Sequence, residues 1–190
     1  MKRLSVGFAM CGSFCTLRQA VDPIAVLRDM GADVTPIMSP IVHSTDTRFG
    51  TAADFKEEVE RLCGKKIIHT VKDAEPIGPR NLLDVIVAAP CTGTTLGKLA
   101  GGITDTSVLM AIKAQVRNDR PVVIALSTND ALGTAAINIG GLLNRRNLYF
   151  VPFSQDDHEK KPRSMAARFG LCEATMEAAL EGRQAQPLIL

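Results

Sequence analysis

An apolar run, Val85-Ile86-Val87-Ala88-Ala89, meets Pro90 and then Cys91-Thr92-Gly93-Thr94-Thr95 before the apolar-periodic segment LGKLAGGI. The run suits one strand buried on both faces, which is how strands of a parallel sheet read. Pro90 is expected to stop it, having no N–H for a ladder. The order is strand, small-residue turn, helix start. In an open α/β sheet such a turn lies at the carboxyl edge, where ligands bind. The helix that follows directs unpaired N–H groups at any anion placed there. An ordinary strand-to-helix turn is the alternative reading.

Bulk properties bound the class. The chain has 190 residues, 46% hydrophobic and 22% charged, which suits one globular domain over 1–190 with a real core. A net charge of +2 without a basic block argues against nucleic acid, whose phosphates demand clustered positive charge. No apolar run is long enough to span a bilayer. Lys2-Arg3 followed by LSVGFAMC has the order of a short signal peptide, but it also reads as a buried first strand, and no convincing cleavage site follows. The five cysteines (Cys11, Cys15, Cys63, Cys91, Cys172) have neither CxxC nor metal-ligand spacing. They point to a reducing cytoplasm and to no metal site.

Strand and helix patterns alternate along the chain. Strands are expected at 4–10, 33–38, 66–68, 85–89, 122–125 and 148–151. Helices are expected at 17–30, 54–62, 131–145 and 165–180, with Gly31 and Gly64 closing the first two. Pro23 is expected to kink the first helix or to restart it after Asp22. The fold predicted is α/β, a three-layer Rossmann-like sandwich around a mostly parallel six-stranded sheet.

Small polar turns follow several of these strands: Cys11-Gly12-Ser13, Ser39-Pro40, the block 91–95, and Ser127-Thr128-Asn129. A doubly wound sheet gathers such turns around one crevice. Two nucleotide signatures are missing. Gly7 and Gly12 have P-loop spacing, yet Ser13-Phe14 stands where Lys-Ser/Thr is required, and no G-x-G-x-x-G follows the first strand. A pocket of hydroxyls and backbone amides without a lysine suits a mononucleotide such as FMN. The candidate cofactor contacts are Gly12, Ser13, Ser39, Cys91, Thr92, Thr94, Thr95, Thr128 and Asn129.

The sequence resembles the homo-oligomeric flavin-containing cysteine decarboxylases and flavin prenyltransferases over nearly its whole length. The resemblance rests on Gly12-Ser13, the R-x-x-G-A-x-V approach at 28–34, Ser39, the D-x-x-x-x-A-P-x-T-x-x-T-L-x-K-x-A-x-G-I-x-D block at 84–105, and R-P-V-V-I at 120–124. It implies bound FMN and a homo-oligomer with flavin near a subunit boundary. The E-P-I-G-P loop (75–79), VPFSQDD followed by K-P (151–162) and QPLIL (186–190) are similar to one branch of this family, one component of a two-chain oxidoreductase. That likeness implies a partner chain carrying NAD(P), and oxidation of a small dihydropyridine dicarboxylate to the aromatic ring in the mother cell of a spore-forming bacterium. Flavin-dependent decarboxylation, prenyl transfer and a non-catalytic scaffolding role are the alternatives.

Two departures weigh against decarboxylation. Pro76 stands where the decarboxylases carry a histidine, and of their P-x-M-N-x-x-M-W motif the segment 126–133 keeps only Asn129. No catalytic residue is assigned. His43 and His69 follow strands and are either solvated loop residues or crevice contacts. Cys91 reads as a small space-filler or a nucleophile. The family's substrate region corresponds to QDDHEKKPR (155–163), which makes Lys160, Lys161 and Arg163 candidates for a substrate carboxylate, Arg163 first for its bidentate fork. Arg80 is the competing cation.

Overall fold

The computed structural model describes residues 3–190. Its central strands are β1 (Ser5–Met10), β2 (Asp33–Met38), β3 (Val85–Cys91) and β4 (Val122–Thr128), parallel neighbours in the order β2-β1-β3-β4. All seven residues of β3 are buried, as a near-continuous apolar strand covered on both faces must be. The segment Ser5–Met10 is the strand between β2 and β3.

β5 (Leu148–Phe150) runs parallel to the first half of β4, from Val122↔Leu148 to Ile124↔Phe150. Two further strands have no counterpart in the sequence pattern. β6 (Phe153–Ser154) and β7 (Met165–Ala167) form an antiparallel pair, and β7 joins β4 at Ser127 and Thr128. Among the described residues the sheet therefore has seven strands rather than six, and it remains mostly parallel.

Helices flank it on both faces. α1 (Phe14–Asp29) packs against α3 (Ala52–Cys63) and α8 (Cys172–Leu180). α5 (Gly93–Ala100) packs against α6 (Ser107–Arg117) and α7 (Ala135–Leu143). Two short helices, α2 (Pro40–Ser44) and α4 (Val71–Ala74), lie where the sequence pattern predicts neither a helix nor a strand. Large apolar side chains such as Phe8, Met10, Leu17, Ile24 and Ile86 are at most 1% exposed. Such burial stabilises by roughly 1.5–3 kcal/mol per side chain.

Several boundaries moved for identifiable reasons. Residues 66–68 make no strand, only a bridge from Ile68 to β2. Met38 N donates to Ile68 O and Ile68 N to Pro36 O, both at 2.9 Å, but Pro36 has no N–H to extend that edge. Pro90 does not end β3; it sits in a register irregularity between Ala88 and Cys91, and its carbonyl accepts from Cys11 N at 3.0 Å. Pro23 is buried inside an unbroken α1, which begins at Phe14 rather than at 17, and Gly31 closes it with φ +84°. The expected helix 165–180 is split because the end of β4 extends past β5 and takes β7 as its partner. The expected helix 131–145 begins only at Ala135, after a turn in which Asp130 O accepts from Gly133 N (3.0 Å) and Ala135 N (3.2 Å).

At the amino edge of the sheet, Asp84 accepts hydrogen bonds from Ser5 N (2.9 Å) and Arg120 Nη1 (3.3 Å). The carboxyl edge is left for the site.

Candidate functional site

Where β1 and β3 end side by side, the helices that follow them leave in different directions around the sheet, and a crevice opens. This is the switch point of a doubly wound sheet. The crevice holds a cavity of about 740 Å³ and a second of about 310 Å³, and both are walled by Gly12, Thr92 and Thr94. Each falls in the size range of small-molecule sites.

Two glycines make the crevice possible. A Cβ on Gly12 would lie 2.8 Å from Ile41 Cγ2 of α2, and one on Gly93 would lie 2.7 Å from Thr128 Oγ1. A side chain at either position would close the gap between neighbouring strand ends.

The hydroxyls fall into three groups. After β1, Ser13 Oγ lies 2.9 Å from Ser127 Oγ, and Thr16 Oγ1 lies 2.9 and 3.1 Å from those two oxygens. Thr16 Oγ1 also reaches Ser13 O at 3.1 Å. The cluster thus has more acceptors than protons, and its O–H groups can turn into the larger cavity with little loss. After β3, Thr92 caps α5: its Oγ1 accepts from Thr95 N at 3.2 Å and lies 3.0 Å from Thr95 Oγ1. The N–H groups of Gly93 and Thr94, ahead of that cap, stand at the positive end of the helix dipole. After β2, Ser39 is 7% exposed and lines the smaller cavity, and among the described residues its buried Oγ has no hydrogen-bond partner. A buried hydroxyl without a partner is costly and marks a place for a ligand atom.

Of the nine cofactor contacts expected from the sequence, Gly12, Ser13, Thr92, Thr94, Thr128 and Asn129 line the larger cavity. Ser39 and Thr95 line the smaller one. Cys91 lines neither: it is fully buried, and its thiol pKa is raised well above the ordinary value by the adjacent Cys11 thiol and by burial. It fills space beneath the turn, away from both cavities. The small cavity also holds Lys98, whose ammonium is 2.6 Å from Asp105 and holds that carboxyl below the usual range.

The loop 155–164 closes one side. It is tied to the crevice by Leu132 N to Arg163 O (3.0 Å) and by Ser164 Oγ to Thr128 O (3.4 Å), and internally by Gln155 Nε2 to Pro162 O (2.8 Å). Lys161 lines the cavity with its Nζ 3.8 Å from Asp156 Oδ2. Lys160 and Arg163 are exposed and do not line it, so Arg163, the preferred cation on chemical grounds, is displaced by Lys161. Arg80 lies before β3 begins, near the opposite edge, in a loop whose Gly78 O is held by Asn118 Nδ2 at 2.7 Å. It walls neither cavity.

None of the three histidines lines either cavity. His43 and His69 instead stack on each other, ring centroids 3.8 Å apart and planes within 4°. The sequence pattern does not single out Thr16, Asp130, Thr134, Asn138 and Asp156, all of which wall the larger cavity. Thr16 was discoverable, since it lies one short turn of helix beyond Ser13. Asn138 was not, because its place depends on where α7 begins.

This is an open α/β flavin-type fold with its crevice at the β1/β3 switch point, and the chain belongs to the Flavoprotein family, which matches residues 1–153. The chain is similar to the B subunit of dipicolinate synthase from Bacillus subtilis (strain 168), with 44% identity over 190 residues, all of this chain and 95% of that protein. It is likewise similar to the crystal structure of the same B subunit from Bacillus halodurans, with a TM-score of 0.91 and 41% identity over 100% of this chain and 98% of that one. The FMN-dependent cysteine decarboxylase SpaF shares the fold, with a TM-score of 0.67 at 18% identity over 94% and 97% of the two chains.

Proposed function

We propose that this chain binds FMN in the crevice and serves as the flavin component of a two-chain dipicolinate synthase, in which dihydrodipicolinate is oxidised to dipicolinate (pyridine-2,6-dicarboxylate). The observation that carries the cofactor assignment is the partnerless, buried Oγ of Ser39 in the same crevice as the N-terminal N–H groups of α5 at Gly93 and Thr94. A phosphate accepts from both kinds of donor, and each hydrogen bond to such a charged group is worth about 1.5–3 kcal/mol. The likeness to the B subunit along the full chain supports the reaction and the partner, the A subunit of dipicolinate synthase, which would carry NAD(P).

When bound, a flavin supplies a two-electron acceptor for hydride. The remaining work falls to the chain. Gly12 and Gly93 keep the strand ends open for a planar ring. The Ser13–Thr16–Ser127 hydroxyls offer reorientable donors to polar atoms of the cofactor. Lys161 is the cation on the wall of the larger cavity, and it attracts a carboxylate of the substrate.

Association with further copies fits the same reading. α7 borders the cavity through Ala135 and Asn138 and carries no charged residue. Its Ile137 is 79% exposed, and around Gly140 and Gly141 there is open space. Among the described residues no helix is long and apolar enough to cross a membrane.

The test is a titration of purified chain with FMN, FAD, NAD and ATP by fluorescence, followed by an assay of the chain alone and with its partner. Saturable binding tightest for FMN, with activity that needs both chains, is the expected result. No FMN binding up to about millimolar, a limit of roughly −4 kcal/mol, would overturn it.

A further inference from the structure

Among the described residues the wall of the larger cavity carries Cys15, Asp130, Asp156 and Lys161 as its titratable side chains. Making a dihydropyridine aromatic removes one hydride and one proton, so a group that takes a proton is required. All but Asp130 are poorly suited. Lys161 is already a cation, Asp156 faces that ammonium at 3.8 Å, and a thiol such as Cys15 needs a base of its own.

Asp130 differs in how it is held. Its backbone is fixed on both sides: its N–H donates to Thr128 Oγ1 at 3.3 Å, and its carbonyl accepts from Gly133 N and Ala135 N. Its carboxylate, by contrast, makes no hydrogen bond or ion pair among the described residues. It rests on the bare Cα of Gly133, where a Cβ would lie 2.1 Å from Oδ1. A carboxylate positioned by its backbone and left without a donor keeps both oxygens available.

Charge orients the substrate in the same sense. Lys161 draws the carboxylates flanking the ring nitrogen, and Asp130 repels them. The ring edge remote from the nitrogen, which carries C–H hydrogens, is thereby turned toward Asp130.

We infer that Asp130 is the proton acceptor of this site, positioned by Gly133. This rests on the dehydrogenation proposed above. In the step, one ring C–H bond breaks with its electron pair as hydride, for which a flavin held in the crevice would supply the two-electron acceptor. A second ring hydrogen leaves as a proton to Asp130, and the electron pair it leaves behind completes the aromatic ring. The products are pyridine dicarboxylate and a neutral Asp130 carboxyl, and the hydride would be carried off on the acceptor that the flavin supplies.

The experiment compares Asp130→Asn with the unaltered chain, each with FMN and the partner chain. Expected is a fall in kcat of about 100-fold or more. FMN affinity stays unchanged, and pyridine-2,6-dicarboxylate binds equally or more tightly because a repelling charge is gone. The acidic limb of the kcat–pH profile disappears, and Asp130→Glu recovers part of the rate. Gly133→Ala, which displaces an intact Asp130, lowers kcat without adding to the effect of Asp130→Asn. If Asp130→Asn keeps kcat within about three-fold, or loses FMN instead of rate, the inference is overturned. Failure of the unaltered chain to bind FMN or product overturns the proposed function itself, a separate outcome.

Discussion

Thr92 Oγ1 accepts a hydrogen bond from Thr95 N at 3.2 Å, so the hydroxyl at the centre of the crevice also starts the helix behind it. Ser39 Oγ has no such second duty among the described residues. The two hydroxyls should therefore respond differently to removal. Thr92→Ala is expected to cost about 1 kcal/mol of stability in the ligand-free chain through the lost cap. Ser39→Ala should leave ligand-free stability unchanged or raise it, since a buried group without a partner disappears. FMN affinity should fall in Ser39→Ala by about ten-fold or more, one hydrogen bond to a charged group. Urea unfolding of both variants, with and without FMN, measures all of this. Equal FMN affinity in Ser39→Ala and the parent would place the phosphate elsewhere.

Thiol chemistry reports on the cavity independently. Cys15 is exposed on the wall of the larger cavity, while the other four cysteines are buried. Burial pushes Cys63 up to about 11 and Cys172 up to about 12, and Cys91 is raised by Cys11 and by burial. Iodoacetamide should thus alkylate the native chain at Cys15 alone, and bound FMN should slow the reaction. Peptide mapping by mass spectrometry decides between this and labelling spread over several cysteines.

The pH dependence has a defined sign at the stacked histidine pair. Burial, the facing His69 and then Lys56 lower the His43 pKa, with Glu60 opposing. The unfolded chain accordingly takes up this proton at a higher pH than the folded one. The contribution of His43 is fully present above the unfolded value of 6.5 and is lost as pH falls through the lowered folded value. Between about pH 7.5 and 5.5 the urea midpoint should drop, and His43→Gln should shrink the drop. An identical slope in the variant would dissociate the pair from stability.

The uncharged outer face of α7 should be covered in solution. Light scattering is expected to give a multiple of 20.4 kDa, and Ile137→Lys to shift it toward the single chain with an unchanged circular dichroism spectrum. A single-chain mass for the unaltered protein at micromolar concentration would contradict the association.

The crevice was legible in the sequence because its walls are local. The turn at Gly12-Ser13 and the block 91–95 follow their strands directly, and a parallel strand must deliver its turn to the carboxyl edge. Ser39 could be placed for the same reason. What escaped depends on pairings distant in sequence. β7 is a strand only because β4 outruns β5, a length mismatch that no window around Met165-Ala166-Ala167 displays. Lys161 and Arg163 are indistinguishable by composition. They were separated by the loop's own hydrogen bonds, which commit the backbone of Arg163 to Leu132 and leave Lys161 on the cavity wall. Pro36 and Pro90 show the opposite limit, since each altered a ladder in a way that depends on which edge faces a neighbour.

With flavin bound as proposed, the partnerless hydroxyl of Ser39 would tie the amount of this protein in a cell to its vitamin supply. A ligand that satisfies it adds RT ln(1 + [L]/Kd), about 2.7 kcal/mol when flavin stands at roughly a hundred times its dissociation constant. Chains made faster than flavin arrives lack that increment and spend more time open to proteases. Riboflavin starvation would then deplete the polypeptide as well as its activity, with no change in its messenger.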